Sequence, residues 1–209
     1  AIPGQWVLKL LPYLYEGGAY PHAALGISLR KGEKGLEIIY LAPGSPAEKL
    51  DLLKDDVLLS LGGEDLKEIE DAHPTLLASL PGELLSSRWL RDGEVFSRTL
   101  LTVERKSDGL KEYAKIDNPI DLFPPLFGME VVLTGEGLLK DRYRIDSVYP
   151  GSIADESGLS PGDPFTLERW TFIDEAPFVL ARLRIKKRKA GFLESGIQLP
   201  GYLEPNNFL

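Results

Sequence analysis

Pro43-Gly44-Ser45-Pro46-Ala47-Glu48 leads through Leu52 to Asp55-Asp56, and Pro150-Gly151-Ser152-Ile153-Ala154-Asp155 leads through Leu159 to Gly162-Asp163. A constant offset of 107 positions aligns Pro, Gly, Ser, Ala, Leu and Asp without a gap, six identities in fourteen positions. Agreement of that density is self-similarity rather than shared composition, so one module occurs twice.

Each copy reads the same way locally. Leu36 to Leu41 and Tyr143 to Tyr149 are rich in β-branched and aromatic residues and predict strands. Pro-Gly then turns the chain, and Ser45 or Ser152 caps a short helix, Ala47 to Leu50 in the first copy and Ala154 to Ser157 in the second. Strands follow at Val57 to Leu61 and Phe165 to Phe172. A hairpin joins Leu84–Leu90 to Phe96–Val103 around Asp92-Gly93, a favoured two-residue turn. In the second copy, Phe178 to Lys186 pairs with Phe192 to Leu199 around Ala190-Gly191. Asp51 and Asp55 stand where the second copy has Gly158 and Gly162, positions where Asp tolerates left-handed backbone at some cost.

The whole composition agrees with such modules. The 209 residues allow one large domain or two of about 100, and 21 Gly with 16 Pro favour short strands and defined turns. A net charge of −8 argues against nucleic-acid or anionic-membrane binding, which need concentrated Lys and Arg. The run Lys186-Lys187-Arg188-Lys189 reads as a solvated hairpin end. With no Cys, disulfides and thiolate catalysis are excluded. No apolar run approaches the roughly 20 residues of a membrane helix, and no signal segment opens the chain. The expected organisation is a linker with a helix at 1–22, a first domain at 23–105, a second linker at 106–124 and a second domain at 125–209.

At these residues the sequence resembles the PDZ domains of the bacterial HtrA protease family. The resemblance rests on Pro43 to Glu48, Leu52, Asp56 and Val57 to Gly63, on Ala24-Leu25-Gly26-Ile27 upstream, and on Leu126-Phe127-Gly128-Met129 in the second copy. It implies two partly open β-barrels in tandem, mainly β with short helices. Ala1-Ile2-Pro3, followed by Val7, Leu10, Leu11 and Leu14 at helical spacing, is similar to the family's crossing from protease domain to first PDZ domain.

From the resemblance, Leu25, Gly26 and Ile27 are expected to cradle a peptide carboxylate with successive backbone N–H groups. Gly26 is expected to let the ligand approach the backbone closely. A peptide would add as a strand beside Ser28 and Leu29, with Thr75 and Ala78 on the opposite wall, a helix in Asp71 to Leu80. Leu76, Leu77 and Leu80 are its expected core face. His73 reads as a cap-region or surface residue. In the second copy Phe127, Gly128 and Met129 form a degenerate groove. Only Ile173 to Pro177 separates its strands, too few residues for a two-turn helical wall, so this domain is expected to dock another surface.

A catalytic triad needs a His between nucleophile and carboxylate, and the only histidines are His22 and His73. No catalytic residue, metal site or cofactor is expected. The expected role is the regulatory, peptide-binding region of an HtrA-like serine endopeptidase. Its partners would be C-terminal or unfolded segments of proteins and an upstream protease domain, with no nucleic acid and no membrane insertion. The resemblance implies a periplasmic or otherwise extracytoplasmic location. A non-enzymatic PDZ scaffold, or the PDZ region of another protease class, remains the alternative.

Overall fold

The computed structural model describes residues 11, 12, 15, 21–105, 109–135, 141–173, 176–187 and 193–209. The expected linker helix of 1–22 and the turn at 190–191 lie outside the described residues, almost wholly in the first case. Two compact units divide the chain: 1–107 together with Leu209, and 108–208. Both are mainly β, with five short helices among the described residues and sheets that do not close. None of these helices is long and apolar enough to cross a membrane.

The first unit contains β1 (Ala23–Ala24), β2 (Ile27–Gly32), β3 (Gly35–Leu41), α1 (Pro46–Lys49), β4 (Val57–Leu61) and β5 (Glu64–Asp65). They are followed by α2 (Ala72–Ala78), β6 (Leu84–Arg91), β7 (Glu94–Leu101) and β8 (Val103–Glu104). The main sheet has the order β2-β3-β4-β6-β7, so β2 is an edge strand, while β1 pairs with β8. Alternation does the sorting: along β6, Leu85, Ser87 and Trp89 turn inward and their neighbours outward. Trp89 stacks on Phe96 across the hairpin at 5.7 Å between centroids. Asp92 (φ 50°) and Gly93 (φ 85°) are both left-handed, as the tight turn requires.

The second unit opens with α3 (Lys111–Ile116) and α4 (Phe123–Phe127) around a 3₁₀ turn, Pro119–Leu122, capped by the Asn118 side chain. Then come β9 (Met129–Gly135), β10 (Arg142–Val148), α5 (Ile153–Glu156), β11 (Pro164–Phe172), β12 (Phe178–Lys187) and β13 (Leu193–Tyr202). The strands form an antiparallel meander in sequence order with β9 at one edge. Phe123, Phe127 and Trp170 make a mutually packed aromatic cluster, with Phe165 against Phe123 at 5.7 Å.

The repeated residues do the same work twice. Gly44 and Gly151 both have φ 72°. Ser45 Oγ accepts the Glu48 N–H, and Ser152 Oγ accepts the Asp155 N–H, capping α1 and α5. The acidic side chains return the favour, Glu48 accepting from Gly44 N–H at 2.6 Å and Asp155 from Gly151 N–H at 2.8 Å. Ala47 and Ala154 are fully buried, and so are Leu52 and Leu159 to within a few per cent. Asp51 (φ 61°) and Asp55 (φ 71°) take the left-handed backbone that Gly158 (φ 72°) and Gly162 (φ 89°) take in the second copy. The same offset also relates Ile38 and Ile145. Ile38 exchanges backbone bonds with Asp55 and Asp56, and Ile145 with Gly162 and Asp163.

One expectation fails. Leu76 is buried in α2, but Leu77 is 42% exposed. The inner face runs through Ala72, Leu76 and Ser79, spaced by four and three residues, and Leu77 lies about 100° round the helix from Leu76.

Candidate functional site

The loop Leu25-Gly26-Ile27 is held from behind by the segment that follows β3. The carbonyl of Gly26 accepts the Ala42 N–H at 2.8 Å, and that of Leu25 accepts the Ala47 N–H at 3.2 Å. With those carbonyls tied down, the three N–H groups converge on one point. The terminal residue of the 209-residue chain sits there: Leu209 O accepts from Leu25 at 3.2 Å, Gly26 at 2.7 Å and Ile27 at 3.2 Å. The Leu209 N–H donates to Ile27 O at 2.8 Å, the first rung of an added strand on the edge of β2. Three convergent amides form the donor cluster that suits a carboxyl oxygen. The Leu209 side chain is 2% exposed and packs in a cluster that includes Leu25, Ile27, Leu29 and Leu76.

Gly26 (φ 77°) is glycine for a reason inside the domain. A Cβ there would overlap the Cβ of Ser45, the cap of α1. The close backbone approach therefore serves the packing of the loop against the repeat, besides any ligand. The same junction recurs at Gly128 (φ 71°), whose Cβ would overlap that of Ser152 and whose carbonyl accepts the Tyr149 N–H.

Other groove residues are distributed more widely. Ser28 is fully buried, and its Oγ has no hydrogen-bond partner among the described residues. Leu29 is buried two residues further along the same edge strand. Thr75 sits over the turn after β4, where its Cγ2 fills the space above Gly62. Ala78, the last residue of α2, is half-buried. His73 is half-buried and His22 exposed; the His22 carbonyl accepts the Arg105 N–H.

The second copy differs at its central amide. Phe127 is the last residue of α4, and the Gly128 N–H closes that helix by donating to Pro124 O at 3.1 Å. Met129 is buried at the start of β9. The donor equivalent to Gly26 N–H is thus already used within its own unit. On the other side, β11 ends at Phe172 and β12 begins at Phe178.

Residues 23–103 match the PDZ domain family, and residues 110–203 match the TP0546 family PDZ domain. The chain therefore consists of two PDZ domains in tandem, with no protease domain matched in it. By sequence it is homologous to DegP/HtrA-type serine proteases. Over 177 residues it is 23% identical to a Chlamydia pneumoniae protein named "Probable periplasmic serine endoprotease DegP-like". Over 178 residues it is 24% identical to the protein of the same name from Chlamydia muridarum. Each match covers 78% of this chain and 35% of the relative, so the chain spans about a third of the length of these relatives. Among solved structures, the HtrA-type protease AlgW with decapeptide is similar over 51% of this chain and 36% of that one, with 20% identity and a TM-score of 0.45.

Proposed function

We propose that this chain is the peptide-recognition region of an HtrA-like serine endopeptidase, and that its first PDZ groove takes the apolar C-terminal residue of a protein by strand addition. The observation that carries the reading is the convergence of the Leu25, Gly26 and Ile27 amides on one oxygen beside a buried leucine side chain. The donors bind the carboxyl group, Ile27 O and the rest of the β2 edge align the ligand backbone, and the apolar surroundings of Leu25 and Ile27 select the last side chain. Ser28, Leu29, Thr75 and Ala78 complete the groove region. Phe127, Gly128 and Met129 form a groove that does not take carboxylates, because the Gly128 amide serves α4.

The protease assignment draws on the homology to DegP-like endoproteases, which extend well beyond the matched third of their length. Substrates would be exposed C-termini or unfolded segments of proteins. Since those relatives carry the word periplasmic in their names, the working location is extracytoplasmic. A coding sequence upstream with His, Asp and a Gly-Asn-Ser-Gly nucleophile segment would support the protease over a scaffold, and a coding sequence without them would support the scaffold.

The groove itself is tested on a Leu209→Asp chain, in which a charged side chain cannot remain in the apolar pocket. A fluorescent hexapeptide ending in Leu is titrated in two forms, free acid and C-terminal amide. The acid is expected to bind at least tenfold more tightly. Equal binding of the two forms, or binding of neither, would remove the carboxylate-groove reading.

A further inference from the structure

The groove described above contains this chain's own last residue. Leu209 makes four backbone hydrogen bonds with Leu25, Gly26 and Ile27, three as acceptor and one as donor. Its side chain is buried to 2% exposure in the first unit's hydrophobic cluster. By its contacts Leu209 belongs to the unit formed by 1–107, although every residue from 108 to 208 belongs to the other. These are the marks of a seated ligand rather than of a tail lying on a surface: a backbone oxygen saturated by three donors, an amide paired to a strand edge and a side chain out of water.

We infer that Leu209 is an intramolecular ligand of the first PDZ groove, which an incoming peptide has to displace. The inference rests on the carboxylate-groove reading and specifies the occupant of that groove in a chain ending at Leu209. The energetics favour the tethered residue. A ligand attached by the chain itself acts at an effective concentration on the order of millimolar. For a groove with a Kd of about 10 μM, that tether holds roughly 99% of molecules closed and weakens binding of an external peptide about 100-fold. Peptide binding by this chain is then gated. A peptide binds well only when it competes in high local concentration, or when Leu209 has been removed, extended or drawn away.

The test uses a labelled hexapeptide with the sequence of residues 204–209 and a free carboxyl group, titrated by fluorescence polarisation. Three proteins are compared: the 209-residue chain, its Leu209→Asp variant, and the chain extended by two glycines after Leu209. The extension keeps every native side chain and abolishes only the terminal carboxylate, so it separates loss of the ligand from loss of stability; melting curves of all three monitor folding. Affinity at least tenfold higher for both altered chains, with a monomeric mass for the 209-residue chain in sedimentation, supports the inference. Equal, tight binding by all three overturns it while leaving the groove reading intact. A dimer that dissociates on Leu209→Asp substitution overturns the intramolecular form. If none of the proteins binds, the groove reading fails and the inference that rests on it fails with it. A Gly26 amide signal unmoved between the 209-residue and extended chains also overturns the self-ligand, and a shifted signal with faster exchange after extension, together with the tighter binding, supports it.

Discussion

Asp56 shows how one residue can be read correctly in sequence and still be half understood. It serves as a turn former, its Oδ2 accepting the Leu53 N–H at 2.8 Å, as Asp163 does for Ser160 in the second copy. Yet its side chain is 2% exposed, and its charge is met by Arg91, whose Nε and Nη2 reach the two carboxylate oxygens at 2.6 Å each. Arg91 also donates to Asp51 O and lies over the Phe96 ring. The hydrogen bonds to Asp56 push the guanidinium pKa up. Removing Arg91 leaves a desolvated carboxylate with one amide for company. Arg91→Ala is therefore expected to cost about 2–3 kcal/mol, below the range for a fully buried pair because Arg91 is partly exposed. Arg91→Lys should recover only part of this, lacking the two-pronged geometry. Urea unfolding measures both, and an unchanged midpoint for Arg91→Ala would refute the assignment. Nothing in the sequence links Asp56 to a residue 35 positions away, whereas its turn role needed only its neighbours.

At the level of the element, the best-read features are those closed by local chemistry. The Asp92-Gly93 hairpin, the Ser45 and Ser152 caps and the strand Val57–Leu61 all depend on residues a few positions apart. The entrance to α2 is of the same kind. Asp71 Oδ2 accepts the N–H groups of Glu68 and Lys67 at 2.9 Å each, and these bonds hold its pKa below the ordinary carboxylate value. A carboxyl group whose folded pKa is depressed contributes stability above its unfolded pKa of about 3.9 and loses it as pH falls through the folded value. The melting-temperature gap between the native chain and Asp71→Ala is accordingly expected to be present at pH 6 and to close towards pH 2. A gap that persists at pH 2 would assign the role of Asp71 to something other than its charge. The facing of α2 was less legible. Its leucines at 76, 77 and 80 suggest one apolar face, but burial follows Ala72, Leu76 and Ser79, whose spacing of four and three residues keeps to one side of a helix that starts at Ala72 and ends at Ala78.

At the scale of the whole molecule there are two cores, each with its own indole. Trp89 is buried in the first, and Trp170 contacts Phe123 and Phe127 in the second. With 5-fluorotryptophan incorporated, the ¹⁹F signals of Trp89 and Trp170 report the two units separately on heating. Arg91→Ala is expected to lower the Trp89 transition by several degrees and to leave that of Trp170 in place; a common shift of both would mean a single cooperative unit. The duplicated module, its turns and its glycines could all be deduced from the order of residues, since a left-handed φ, a helix cap or an Asx-type turn is decided by atoms only a few bonds apart. Three things waited for the folded chain: the meeting of Gly26 with Ser45 and of Gly128 with Ser152, the capture of the Gly128 amide by α4, and the seat of Leu209 on Leu25, Gly26 and Ile27. Each is a contact between groups that are remote in sequence or that compete for one donor, and only packing in three dimensions chooses which partner a given N–H or Cβ meets.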